Sequence, residues 1–255
     1  MTGDLARVTY DIAGPETAPA IVFVHGTRLT RSAWTPQLQA LSDDFRVVAM
    51  DLPGHGSLGD RPFSMAAASD ELARVIGSAA GGRAIVVGLS LGGYVAMDLA
   101  ATRPDLVRGL VLSGATQEPI GLRSIPYSAL AWVMDRFDGP TLDTLNAWFF
   151  RSRYPPAIAE PIVTGGFFAA GGAGALRELI GERFSPRLAA YDGPVLIING
   201  ELDVLFRLGA TAFARAARDV RRVRLGGATH LANLDRPEAF SKAVRRFAEE
   251  LQNRP

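Results

Sequence analysis

Short, continuous apolar runs recur along this chain, and stretches with helical spacing separate them. The runs are Ala20-Ile21-Val22-Phe23-Val24, residues 45–51 around Val47-Val48-Ala49-Met50, Ala84-Ile85-Val86-Val87, residues 107–112, and residues 194–199 around Val195-Leu196-Ile197-Ile198. Each is bounded by turn residues and is too short to be a helix of its own, and none alternates with polar residues as a half-solvated strand does. They read as strands covered on both faces. Between them, residues 36–41 and 65–79 read as helices, the second with Ala68, Leu72, Val75 and Ile76 on one side. Residues 209–217 and 237–251 are expected as later helices, residues 221–225 as a late strand, and residues 5–12 as a weakly alternating edge strand. Strand and helix thus alternate through short connections, the pattern of βαβ units and a mainly parallel sheet between helical layers.

The alternation breaks between residues 117 and 186. That stretch has no clear buried strand, and Pro126, Pro140, Pro155-Pro156 and Pro161 interrupt its helical segments. It also carries Tyr127, Trp132, Phe137, Trp148, Phe149, Phe150, Tyr154, Phe167, Phe168 and Phe184. The expectation is one domain in two parts, residues 1–116 and 187–255, with a helical cap at 117–186 inserted between two strands.

Within the sheet, Gly88-Leu89-Ser90-Leu91-Gly92 stands between a buried strand and a helix. Glycines on both sides let the strand and the returning helix pass close together, and the serine is held at the top of a strained turn with its hydroxyl outward. A serine hydroxyl needs a base, and histidine titrates near working pH. The chain has three histidines. His25 and His55 each sit in a His-Gly pair after a strand and are expected to hydrogen-bond loop backbone. His230 lies in the loop after the last strand and is the expected base, over the same carboxyl edge of the sheet as Ser90. Asp203 follows the penultimate strand and is the expected partner of His230; Glu201 is its near rival. The oxyanion of an acyl-transfer intermediate needs two donors. The backbone N–H of Leu91, at a helix N-terminus, and that of Thr27, in the loop after Val24, are expected to supply them.

Composition narrows the reading without directing it. Net charge is +1, which gives no single-signed field for nucleic acid or an anionic membrane surface. With no cysteine and only three histidines, thiol nucleophiles and a multi-histidine metal site fall away. The first residues lack the charged-then-apolar pattern of a secretory leader, and no apolar run approaches bilayer length, so a soluble cytoplasmic protein is expected.

These motifs, in their order, resemble the α/β-hydrolase fold family over nearly the full length. The residues that carry the likeness are His25-Gly26 with Trp34, Asp51-Leu52-Pro53-Gly54-His55-Gly56, Gly88-Leu89-Ser90-Leu91-Gly92-Gly93, Gly200-Glu201-Leu202-Asp203 and Gly227-Ala228-Thr229-His230. The resemblance implies an eight-stranded, mostly parallel sheet flanked by helices, with one antiparallel strand near the N-terminus and a helical cap after the sixth strand. It implies acyl-transfer chemistry on a small-molecule substrate with no cofactor and no metal. An aspartate nucleophile, as in haloalkane dehalogenases and epoxide hydrolases of this fold, is replaced here by Ser90.

The expected function is therefore a serine hydrolase of a small to medium, largely apolar ester, thioester or lactone, acting on no nucleic acid and no membrane; the oligomeric state is open. The same residues also suit a carbon–carbon bond hydrolase or a cofactor-free perhydrolase or haloperoxidase, or a ligand receptor on this fold that hardly turns over. One departure stands out: many relatives carry an aromatic residue and a proline after His-Gly, and here Arg28 follows Thr27. Arg28 or Arg31 is a candidate for an anionic group on the substrate, with a bond to a cap carboxylate as the plainer role. Trp148 and Phe149 are expected among the substrate contacts; with Phe150 beside them, the three cannot share one helix face.

Overall fold

A computed structural model describes residues 8–137 and 139–253. Seven strands are described: β1 (Tyr10–Ala13), β2 (Ala20–Val24), β3 (Arg46–Met50), β4 (Ala84–Leu89), β5 (Val107–Ser113), β6 (Pro194–Gly200) and β7 (Asp219–Leu225). They form one sheet in the order β1-β3-β2-β4-β5-β6-β7. Only β1 runs antiparallel, pairing Tyr10 with Met50 through Ala13 with Val47. The resemblance implied eight strands; seven are present among the described residues. Of the edge strand expected at 5–12, residues 5–7 lie outside the described part, and the strand begins later, at Tyr10.

Eleven α-helices are described. They are α1 (Thr35–Leu41), α2 (Met65–Ala79), α3 (Leu91–Thr102), α4 (Ile125–Arg136), α5 (Gly139–Arg153), α6 (Pro156–Gly165), α7 (Ala169–Leu179), α8 (Ser185–Ala189), α9 (Val204–Ala216), α10 (Ala232–Asp235) and α11 (Pro237–Gln252). Five of them, α4 to α8, lie between β5 and β6. The insertion thus follows the fifth described strand, one earlier than the family count, in keeping with the one strand fewer.

The strands are apolar throughout because each buries both faces. Val22, Val24, Val48, Met50, Val86, Leu110, Leu112, Val195 and Ile197 belong to one buried cluster, with side chains of α2, α3, α8 and α9. Their alternating neighbours Ile21, Phe23, Val47, Ala49, Ile85, Val87, Val111, Leu196 and Ile198 belong to the other, with side chains of α1 and α11. The period of two along a strand assigns successive residues to opposite layers. Truncating any of these isoleucines or leucines to alanine would cost about 2–5 kcal/mol.

Parallel order carries the carboxyl ends of β2, β4, β5, β6 and β7 to one edge, where loops collect. No described helix is long and apolar enough to cross a membrane.

Candidate active site

Ser90 stands between β4 and α3 with φ 51° and ψ −115°. A non-glycine residue there is strained by roughly 1–3 kcal/mol and persists only where its surroundings over-determine it. Those surroundings are visible. The Ser90 N–H donates to the Ser113 carbonyl at 2.8 Å, and the Ser90 carbonyl accepts from the Gly93 N–H at 2.9 Å. A Cβ on Gly88 would overlap the Gly92 carbonyl, and one on Gly92 would overlap the Val24 carbonyl. Larger residues would force the strand, the turn and the helix apart.

The loops after β6 and β7 meet beside this turn. The Leu202 N–H donates to the Ala228 carbonyl at 2.8 Å, and the Glu201 N–H to the Leu225 carbonyl at 2.9 Å. These bonds bring Asp203 to His230, whose Nδ1 lies 3.0 Å from Asp203 Oδ2. A carboxylate accepts only, so Nδ1 carries the proton and Nε2 is left with its lone pair. The Asp203 side chain is 6% exposed and that of His230 36%, so the acid is enclosed while the ring stays open to a ligand. Glu201 is engaged elsewhere: its Oε2 accepts from the Gly227 N–H at 3.0 Å.

Ser90 and His230 both meet one dipeptide, Ser113-Gly114. Ser113 accepts from Ser90. Gly114, next in the chain, has φ +56°, and a Cβ on it would lie 2.7–2.8 Å from Cε1 and Nδ1 of His230. No hydrogen bond joins Ser90 Oγ to His230; such bonds often tighten only when substrate is bound.

Two supports of the imidazole have no sequence signal of their own. Phe206, in the first turn of α9, stacks on His230 with ring centroids 4.7 Å apart. Its carbonyl accepts from Thr116 Oγ1 at 2.6 Å. On the other side of the loop, Asp235 accepts from both the N–H and the Oγ1 of Thr229 at 2.6 Å. Asp235 also accepts from the Tyr154 hydroxyl at 2.8 Å, so the segment before His230 is tied to the helices between β5 and β6.

The expected oxyanion donors lie where free N–H groups are found. Leu91 is the first residue of α3, and neither its N–H nor that of Thr27 donates to another backbone group. The Thr27 side chain points away, to the Gly172 carbonyl at 3.4 Å. Gly26 sits against the turn, since a Cβ there would lie 3.4 Å from Ser90 Cβ.

His25 and His55 fasten these loops. Both are fully buried. His25 Nε2 accepts from the Leu52 N–H at 3.0 Å, and its Nδ1 donates to the Gly26 carbonyl at 2.8 Å. His55 Nε2 accepts from the Arg28 N–H at 3.1 Å, and its Nδ1 donates to the Pro53 carbonyl at 3.0 Å. One ring nitrogen accepting and the other donating is the neutral imidazole. Burial, the largest cause, pushes His25 below its ordinary value and His55 down to about 3.

The two arginines after Thr27 part ways. Arg31 is bound to Asp51, to Asp11 at 2.9 Å and to Ser57 at 3.3 Å. Asp51 is buried, which by itself raises its carboxyl, but His25, the N–H groups of Arg31 and Ser57 and the Arg31 charge together hold it below the usual range. Arg28 (φ 66°) has Nε and Nη2 enclosed with no hydrogen-bond partner. The three adjacent aromatics also divide. Phe150 is buried and stacks on Tyr154 and Phe167, whereas Trp148 is 70% and Phe149 41% exposed.

A family model described as "Alpha/beta hydrolase family" matches residues 21–243. The chain is 30% identical to 2-(acetamidomethylene)succinate hydrolase of Mesorhizobium japonicum, over 96% of this chain and 93% of that protein. It is also 30% identical to pimeloyl-[acyl-carrier protein] methyl ester esterase of Neisseria meningitidis, over 92% of this chain and 95% of that one. Among solved structures, E-2-(acetamidomethylene)succinate hydrolase superposes with a TM-score of 0.78 at 26% identity, covering 94% of each chain.

Proposed function

This chain belongs to the alpha/beta hydrolase family, and from that premise we propose that it is a serine hydrolase of a small to medium, largely apolar ester, thioester or lactone. The observation that carries the reading is the pairing of His230 Nδ1 with Asp203 Oδ2 beside a serine held at positive φ. Ser90 Oγ attacks the carbonyl carbon, and His230 Nε2 takes its proton. The carbonyl oxygen becomes an oxyanion, which the N–H groups of Leu91 and Thr27 stabilise. The imidazolium gives the proton to the leaving group, and Asp203 stabilises its charge meanwhile. The acyl group is now on Ser90. Water then attacks it, His230 takes the water proton and returns it to Ser90 Oγ, and the acid leaves. No step needs a metal or an organic cofactor.

Residues 117–186 act as the cap over this edge, with Trp148 and Phe149 as its solvent-facing aromatics that contact substrate. The relatives named as a hydrolase and a methyl ester esterase support the reaction class. The test is hydrolysis of p-nitrophenyl butyrate by wild type and by His230→Ala. The reading expects activity in the wild type and a fall of at least about 1,000-fold in the variant. Undiminished turnover by His230→Ala would contradict it.

A further inference from the structure

The Arg28 guanidinium, next to the candidate site, combines charge, enclosure and no hydrogen-bond partner. Its Nε and Nη2 are buried and bonded to nothing. These two atoms form one edge of the planar fork, the edge that meets two carboxylate oxygens side-on. The stem fixes where the fork goes. A Cβ on Gly172 of α7 would lie 2.7 Å from Arg28 Cγ and 3.1 Å from Met134 Sδ of α4, so the side chain runs beneath the inserted helices. Its main chain is equally fixed, since the N–H donates to His55 and the carbonyl accepts from the Phe168 N–H at 3.1 Å. Arg28 directly follows Thr27, the proposed oxyanion donor.

The plainer role is an ion pair with a carboxylate of the insertion. Asp143 of α5 is the charge that Arg28 feels, yet no ion pair joins them, and Asp143 Oδ1 is itself enclosed without a partner. Asn146, one helical turn on, has its Nδ2 in the same condition. Enclosed polar atoms without partners are costly, and a guanidinium more so than an amide. Enclosed, unpartnered polar atoms on Arg28, Asp143 and Asn146 are what a polar ligand would satisfy. Burial draws the Asp143 carboxyl upward, with the Arg28 charge acting the other way.

We infer that the substrate of this site carries a carboxylate, bound side-on by Nε and Nη2 of Arg28 beneath α5 and α7, with Asn146 Nδ2 as a further donor. The inference rests on the reading of Ser90 as the reacting group only for the orientation of the substrate; the carboxylate site itself can be measured without turnover. Arg31 is already engaged, its Nε by Asp11 and its Nη1 by Asp51 and Ser57.

The test is titration calorimetry of the Ser90→Ala variant with monomethyl succinate, monomethyl glutarate and monomethyl adipate, each against its dimethyl ester. At least one monoester is expected to bind about 10- to 100-fold more tightly than its neutral counterpart, the range for a hydrogen-bonded charge pair. Adding Arg28→Gln should abolish that preference while leaving dimethyl ester binding within about 3-fold. Arg28→Lys, which keeps the charge without the fork, should restore part of it. Adding Asp143→Asn in place of the arginine change should keep or increase the preference. Equal binding of every monoester and diester, a preference that survives Arg28→Gln, or a preference lost in Asp143→Asn would overturn the inference. Failure of Ser90 to react with an acylating or phosphonylating probe would sink the serine mechanism and leave these binding results standing.

Discussion

Asp203 Oδ2 lies 3.0 Å from His230 Nδ1, and the two side chains reach this point from loops that leave adjacent parallel strands. The arrangement sets the ring's tautomer. With Nδ1 donating to a buried carboxylate, Nε2 is the nitrogen left to accept a proton, and it belongs to the more exposed side chain of the pair.

Asp203→Asn should therefore cost far more than its charge alone suggests. The amide can donate to Nδ1 and reverse the tautomer, so kcat is expected to fall about 1,000- to 10,000-fold with the fold intact by circular dichroism. Glu201→Gln is the control. Its carboxylate accepts from the Gly227 N–H and does not meet His230, so activity should stay within about 5-fold. A larger loss in Glu201→Gln than in Asp203→Asn would reverse the assignment.

Gly114→Ala should separate activity from folding only partly. The new Cβ would lie 2.7–2.8 Å from the His230 ring, at φ +56°. The backbone strain is worth about 1–2 kcal/mol, which lowers Tm by several degrees. Displacing the imidazole should lower kcat/KM by about 100-fold. Unchanged kinetics at a lowered Tm would show that the ring position does not matter.

Acid should destabilise the fold through His55. In the unfolded chain it titrates near about 6.5, and in the fold at about 3. Between these values the unfolded chain binds more protons, so the contribution is complete above pH 6.5 and is lost as pH falls toward 3, on the order of 5 kcal/mol in all. The lowered Asp51 carboxyl acts in the same direction: its share is present above its unfolded value and is lost on acidification. Urea unfolding of His55→Gln from pH 7 to pH 4 should show a clearly shallower loss of stability than wild type. Parallel pH profiles would contradict the neutral, buried imidazole.

The sheet and the Ser90, Asp203 and His230 positions were legible in the sequence because their signals are local. Buried parallel strands are continuous apolar runs, and the residues proposed for chemistry sit one turn beyond their ends. The edges were harder. The last strand begins at Asp219 rather than at residue 221, and α9 begins at Val204 rather than at residue 209. Gly209 reads as a helix boundary, yet it lies inside the helix because its backbone passes close to the Thr116 carbonyl, where a Cβ would overlap it. The stacking of Phe206 on His230, the clearance at Gly114 and the clamp of Asp235 on Thr229 are contacts between distant segments, and no periodicity announces them. Trp148 and Phe149 show the same gap from the other side. Adjacent aromatics announce a helix with apolar surface, but which ring is buried depends on the partner, and the buried one is Phe150.

The central claim is that Ser90 is the nucleophile, and reaction with a fluorophosphonate followed by peptide mass spectrometry tests it most directly. A single adduct on the peptide containing Ser90 is predicted for the wild type, absent in Ser90→Ala and slowed by at least about 100-fold in His230→Ala. Folded wild-type protein that gives no adduct, or a Ser90→Ala variant that is labelled as fast as wild type, would contradict it.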